Sequence, residues 1–173
     1  MYQVDEKDRV FRLTDIPQSS VGAPIPIVIS EELCTTVAFY GQTFDPDWDG
    51  TTVRIIDANA DDEPIVIVRF SLCYAHQFGA PNDEAFEGHP LHERGLEPYS
   101  NFEIVNSSWL RQLEKMNSVH PYHDKESFLN EQRHFVLAFH DSTFECIARD
   151  YTVETTFGSI ADVAVLLSRQ LGS

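Results

Sequence analysis

The stretch RHFVLAFHDSTFECIARD, Arg133 to Asp150, alternates apolar and polar side chains from His134 to His140 and again from Thr143 to Arg149, with Asp141 and Ser142 between the runs. A period of two belongs to strands, and Asp-Ser supplies turn chemistry, so the stretch predicts a β-hairpin. A loop of two residues, or of four, pairs Phe139 with Phe144 and His140 with Thr143; a loop of three or five would mix the faces. Under that pairing Phe135, Leu137, Phe139, Phe144, Cys146 and Ala148 form an apolar face that belongs on the core. The other face carries His134, Val136, Ala138, His140, Thr143, Glu145, Ile147 and Arg149, a mixture expected of a surface that underlies a loop or lines a cleft. His140 and Glu145 lie diagonally on it, within reach of a shared proton, metal or ligand.

Upstream of the hairpin, Asn106-Ser107-Ser108 offers helix N-caps, and Trp109, Leu110, Leu113 and Met116 form the apolar stripe of a helix to about Asn117. His120-Pro121 ends it, and Asp124 caps a short helix through Gln132. Downstream, Tyr151 to Thr155 prolongs the second hairpin strand. Ser159-Ile160-Ala161-Asp162 resembles a capping box, followed at helical spacing by Ile160, Val163, Ala164, Leu167 and Leu171. Toward the N-terminus, strands are expected at Val10 to Leu13, Cys34 to Gln42, Val53 to Asp57, Ile65 to Ala75 and Phe102 to Val105. Pro24 and Pro26 in the run Ala23 to Ile29 remove amide donors of one parity, which marks an edge strand. Ile65 to Ala75 is apolar on both faces and reads as a central strand covered on two sides. Strands first and helices later predict an α+β fold, a single domain over residues 1–173 with a largely antiparallel sheet and helices of the C-terminal half packed on it.

Between them, His76 to Asn101 holds Gly79, Pro81, Gly88, Pro90, Gly95 and Pro98 and leaves little room for regular structure. So long a connection is usually functional, and this one is a candidate lid or binding loop; Phe78, Phe86, Leu91, Leu96 and Tyr99 should fold it back onto the body. Asp45-Pro46-Asp47-Trp48-Asp49-Gly50 opens like a calcium loop, but position twelve is Ile56 where a bidentate Glu is required, so an acidic turn is the expectation.

A hydrophobic fraction of 42% describes a folded globule, and the formal charge is -16. From Leu13 to Glu93 fourteen acidic residues face only Arg54 and Arg69. Such a surface repels phosphate backbones and anionic lipid, which argues against nucleic acid and membrane as partners and for a basic protein or a cation. The N-terminus lacks an apolar run of signal-peptide length and no segment approaches the ~18 apolar residues of a membrane span, so a cytoplasmic protein is expected. Cys34, Cys73 and Cys146 are odd in number, sit in apolar strand patterns, and suit reduced core thiols.

P-loop, dinucleotide, HExxH, GxSxG and CxxC signatures are all absent. Histidine placement remains: His89 with His92 and His120 with His123 are H-x-x-H pairs that could offer imidazoles to a transition metal, with Glu93, Asp124 or Glu145 nearby. Cys146 falls on the opposite face from His134 and His140, which argues against a thiol nucleophile. The blocks HPLHERGLEPY (His89 to Tyr99), SSWLRQLEKMN (Ser107 to Asn117) and HFVLAFHDSTFECIA (His134 to Ala148) resemble those of an uncharacterised bacterial hypothetical-protein family with no known activity. That resemblance covers the C-terminal half and adds no role to any residue. Two functions are therefore expected in order: a non-enzymatic binder of a basic partner, as immunity proteins of bacterial toxins are by function, and otherwise a small enzyme or ligand-binding protein. In the second case the site, metal-dependent or not, lies under loop 76–101 against the hairpin, where His89, His92, His140 and Glu145 would converge.

Overall fold

The period-two stretch is a hairpin in the computed structural model, which describes residues 2–44, 51 and 55–171. Its strands are β7 (Arg133–Ala138) and β8 (Thr143–Ala148). They join β1 (Arg9–Leu13), β6 (Asn101–Val105) and β5 (Ala75–Gly79) in an antiparallel sheet ordered β1-β6-β7-β8-β5. A second antiparallel sheet, ordered β2-β3-β4-β9, is built from β2 (Ile27–Ser30), β3 (Cys34–Tyr40), β4 (Pro64–Ser71) and β9 (Asp150–Phe157). The predicted α+β class holds, with two antiparallel sheets where one was expected. The helices α1 (Ser108–Asn117), α2 (Lys125–Glu131) and α3 (Ile160–Ser168) all lie in the C-terminal half.

The alternation explains how the sheets meet. Phe135, Leu137, Phe139, Phe144, Cys146 and Ala148 pack against Val37, Phe39, Val66, Val68 and Phe70 of the second sheet. The Phe39 and Phe139 rings meet edge-on at 5.1 Å. Each large apolar side chain enclosed there contributes about 1.5–3 kcal/mol. The alternate residues Ala38, Tyr40, Ile65 and Ile67 face Ile160, Val163 and Leu167 of α3, so β3 and β4 are covered on both faces as the sequence predicts for the Ile65 run. Three predicted caps are in place. Ser107 accepts from Leu110 N–H, Asp124 from Ser127 N–H and Ser159 from Asp162 N–H.

Several expectations are corrected. The hairpin pairs Leu137 with Phe144 and Ala138 with Thr143, two residues away from the expected register. Phe139 N–H donates to Ser142 O at 2.8 Å, so the turn centres on His140 and Asp141. A shift of two preserves the side of every residue, and both faces survive it. The Ile65 strand ends at Ser71; after a turn, Ala75–Gly79 runs as β5 beside β8, taking the first residues of the expected loop. Tyr151 to Thr155 does not prolong the hairpin but crosses to the other sheet, pairing with β4. Arg149 N–H, at the crossing, donates to Ser71 O. Met116 is 65% exposed, outside the stripe of α1. Ile55 to Asp57 are not strand, while Val53 and the acidic turn Asp45 to Gly50 lie outside the described residues.

Candidate functional site

The hairpin's mixed face does underlie the long loop. Val136 and Ala138 pack with Phe102 and Ile104 beneath Phe86, Leu91 and Leu96, and the two short 3-10 turns Phe86–Gly88 and His92–Arg94 shape this cover. Tyr2 joins it because Asp8, itself buried, accepts from Ser108 N–H at 2.6 Å and from the Ser108 hydroxyl. A carboxylate at the first turn of α1 also complements the helix dipole there. Tyr2 then stacks on Trp109 at 5.5 Å between centroids.

Glu145 lies beneath this cover, with 3% of its side chain exposed, and all its hydrogen-bonding capacity is engaged. Oε2 accepts from the Tyr2 hydroxyl at 2.6 Å and from His134 Nε2 at 2.9 Å. Oε1 accepts from His89 Nε2 at 3.1 Å and from the Gln77 amide. The second nitrogens define the tautomers. Leu91 N–H donates to His89 Nδ1, which places the His89 proton on Nε2. Ser107 Oγ accepts from Leu110 N–H and gives its own proton to His134 Nδ1, leaving Nε2 of His134 to donate to Glu145. Burial pushes the Glu145 carboxyl up, but the hydrogen bonds from His134 and His89 outweigh it and hold the group well below the usual carboxylate range. Burial, followed by the charge of Glu145, pushes the Tyr2 phenol far above its ordinary value. A carboxylate with four donors and no open edge fastens the N-terminal segment, loop, α1 and hairpin together; it has no unoccupied position from which to act on a ligand.

The remaining candidates are elsewhere. His140 is not beside Glu145: it sits in the turn, 2.9 Å through Nδ1 from Asp83 Oδ2 and 2.9 Å from the Tyr99 hydroxyl. Tyr99 also bonds Asp83, while His140 Nε2 looks past Asp141 at 4.0 Å, with 38% of the imidazole exposed. Burial, then Asp83, pushes the Tyr99 phenol up to about 12; the Tyr99 hydrogen bond, followed by that of His140, holds the Asp83 carboxyl low. With its Nδ1 held by Asp83, the His140 imidazole can exchange a proton through its open Nε2 with something bound at the tip. His92 is half-buried and turns its ring edge to Phe86. His120 is exposed, and His123 bonds Glu114 at 3.1 Å and Asn117 between α1 and α2. The H-x-x-H pairs thus do not meet, and among the described residues no group of three His, Cys, Asp or Glu is arranged to hold a metal. All three cysteines are free; Cys73 and Cys146 are buried, and the Cys73 thiol donates to Ala75 O at 3.6 Å.

Sequence reasoning missed a cleft of about 370 Å³ between α3 and the outer face of β4 and β9. Ile67, Val163 and Leu167 line its floor, and Glu154, Phe157, Asp162 and Leu166 are exposed along it. Arg69, also in the lining, is held by Glu154 at 3.2 Å and by Gln170 Oε1 at 3.0 Å. The available signal was Thr152-Val153-Glu154-Thr155-Thr156, a strand sequence polar on both faces toward its end and hence exposed there. No helix among the described residues is long and apolar enough to cross a membrane. Compared with known proteins, the chain matches no family profile, no curated protein and no solved structure.

Proposed function

We propose that the protein is a soluble, non-enzymatic binding protein whose acidic surface engages a basic partner, in the manner of an immunity protein. The observation that carries this reading is the disposition of charge. Five arginines are already committed to carboxylates within the fold: Arg12 to Glu97, Arg69 to Glu154, Arg111 to Asp5, Arg133 to Glu103 and Asp150, and Arg149 to Glu131. With a net charge of -16, the field outside the molecule is therefore set by outward carboxylates such as Glu32, Asp57, Asp61, Glu84, Glu87, Glu93 and Asp162. The internal saturation of Glu145 supports the same reading, because it turns the most densely ionisable cluster into a structural fastening. The test is biolayer interferometry against a panel of small basic proteins and poly-lysine at 150 mM salt. Saturable binding to at least one folded basic protein, weakening steeply with added salt, is expected. Binding to poly-lysine alone, with no folded basic protein of the panel bound, would overturn the reading.

The partly open Asp83–His140 pair favours a second reading, a small-ligand site at the hairpin tip where loop and turn meet. Its test is the His140 imidazole signal in an NMR titration with a small-molecule fragment library; a ligand that moves this signal while leaving His89 and His134 unmoved would place recognition at the tip.

A further inference from the structure

We propose that β9 and the cleft beside α3 receive an extended, lysine- or arginine-bearing segment of the partner, added to the four-stranded sheet as a fifth strand. This rests on the reading that the partner is basic, and adds where it docks and in what conformation. A strand at the end of a sheet presents unpaired backbone donors and acceptors, and proteins ordinarily blunt such edges with charge, proline or short length. Three of the four sheet edges here carry such protection. β1 bears Arg9 and Arg12, β2 has four residues preceded by Pro24 and Pro26, and β5 has five residues followed by Pro81. β9 is different. It runs for eight residues, longer than the other three edges, pairs with β4 from Pro64 opposite Phe157 to Ser71 opposite Asp150, and contains no proline. Its two charges, Asp150 and Glu154, are both acidic, so they repel an acidic strand and not a basic one. It ends the strand order, so its outer edge faces no strand among the described residues.

The surroundings of that edge select the occupant. α3 packs on β2 and β3, and Thr152, Glu154 and Thr156 on the outer face of β9 stay exposed. Phe157 is 72% exposed and Leu166 56%, an apolar step beside the cleft. The carboxylates of Glu154 and Asp162 stand over it, and the cation in its lining, Arg69, is already engaged by Glu154. Exposed Asp57 and Asp61 stand close to the start of α3, because the Tyr40 hydroxyl donates to Asp57 O and Ala60 O and accepts from Ile160 N–H, while Ala161 N–H donates to Ala58 O. A second copy of the chain would bring like charge against this rim; a strand alternating basic and apolar residues would set cations toward Glu154 and Asp162 on the outer face and apolar groups on the opposite face, the side of Val153 and Phe157.

The probe is a synthetic ten-residue peptide alternating lysine and valine, titrated into the isotope-labelled full chain at 150 mM salt by NMR and calorimetry. Expected are saturable binding, shifts and slowed exchange concentrated in the amides from Tyr151 to Phe157, and at least tenfold loss of affinity when the peptide is N-methylated along one edge or carries glutamate for lysine. F157A and E154K should each weaken binding at least fivefold while the chain stays folded with at most a small shift of its unfolding midpoint, whereas E87K, the same charge change elsewhere, should alter binding less than twofold. Peptide binding that leaves the β9 amides unmoved, or an N-methylated peptide as tight as its parent, overturns strand addition while the basic-partner reading stands. Failure of the peptide while a basic protein still binds overturns it in the same way, and failure of both removes the two together. A concentration-dependent dimer abolished by F157A would show that a second copy occupies the edge, and would also overturn the proposal.

Discussion

Glu145 and Glu154 are both carboxylates on strands, and the two outer faces of the molecule make different things of them. Outside the five-stranded sheet the N-terminal segment, the loop from 80 to 100 and α1 lie over the strands, and Glu145, with 3% of its side chain exposed, accepts four hydrogen bonds. Outside the four-stranded sheet α3 covers only part of the surface, and Glu154, with 57% exposed, shares one arginine at the rim of a cleft. A buried charge persists only when its lone pairs are satisfied, so a closed face consumes its polar groups in holding itself together. An open face leaves them to water, and water can be displaced by a partner.

The sharpest test of this contrast is removal of each carboxylate in turn. Glu145→Ala strands the buried donors Tyr2, His89 and His134 and the half-buried Gln77, and should cost about 3–5 kcal/mol in urea unfolding, whereas Glu154→Ala removes a surface pair and should cost about 1 kcal/mol or less. Equal losses would end the distinction between the faces. The pH dependence should divide them in the same way. The folded Glu145 carboxyl is held low, so its contribution is complete at neutral pH and is withdrawn as pH falls below the ordinary value of about 4.3. Glu145→Gln should therefore flatten stability between pH 5 and 3, measured by unfolding across that range, and Glu154→Gln should leave the profile close to the parent's.

Phe139→Ala, which empties a wholly buried position against Phe39, should also cost about 3–5 kcal/mol. His140→Ala, next in the chain but in the partly open turn, should cost much less; a comparable loss would mean that the tip is as structural as the core. Tyr2→Phe removes one hydrogen bond to a charged group and should cost about 1.5–3 kcal/mol. The Tyr2 phenol is raised in the folded state, so its contribution is present below pH ~10 and lost as pH rises beyond it. The Phe variant should lose stability less steeply in alkali than the parent. The smallest effect is expected at the open face: Phe157→Ala should stay within about 0.5 kcal/mol of the parent, and a larger loss would place that ring in the fold's own packing.

Much of this was legible in the chain. Parity along β7 and β8 assigned Phe135, Leu137, Phe139, Phe144, Cys146 and Ala148 to the core, and the caps Ser107, Asp124 and Ser159 announced their helices. The site was legible only in outline. Glu145 and His89 do meet under the loop, but the two-residue register shift set His134 beside Glu145 and left His140 to Asp83. Nothing in the turn residues distinguishes those registers; the Asp83 N–H bond to His140 O and the Thr143 hydroxyl bond to Pro81 O come from the loop. The crossing at Arg149 had no turn signal either, since an extended chain can pass from one sheet to another without a break in its pattern.

By itself the sequence determined the local quantities: which side chain points to which side of its strand, where helices begin, and how strongly negative the chain is. Those depend on backbone geometry and composition within a few residues. Only the tertiary structure decided which carboxylate is enclosed and which stands open, because enclosure is made by segments remote in the chain. Tyr2 reaches Glu145 across 143 positions, His89 across 56, and a pattern with a period of two or 3.6 contains no record of such meetings.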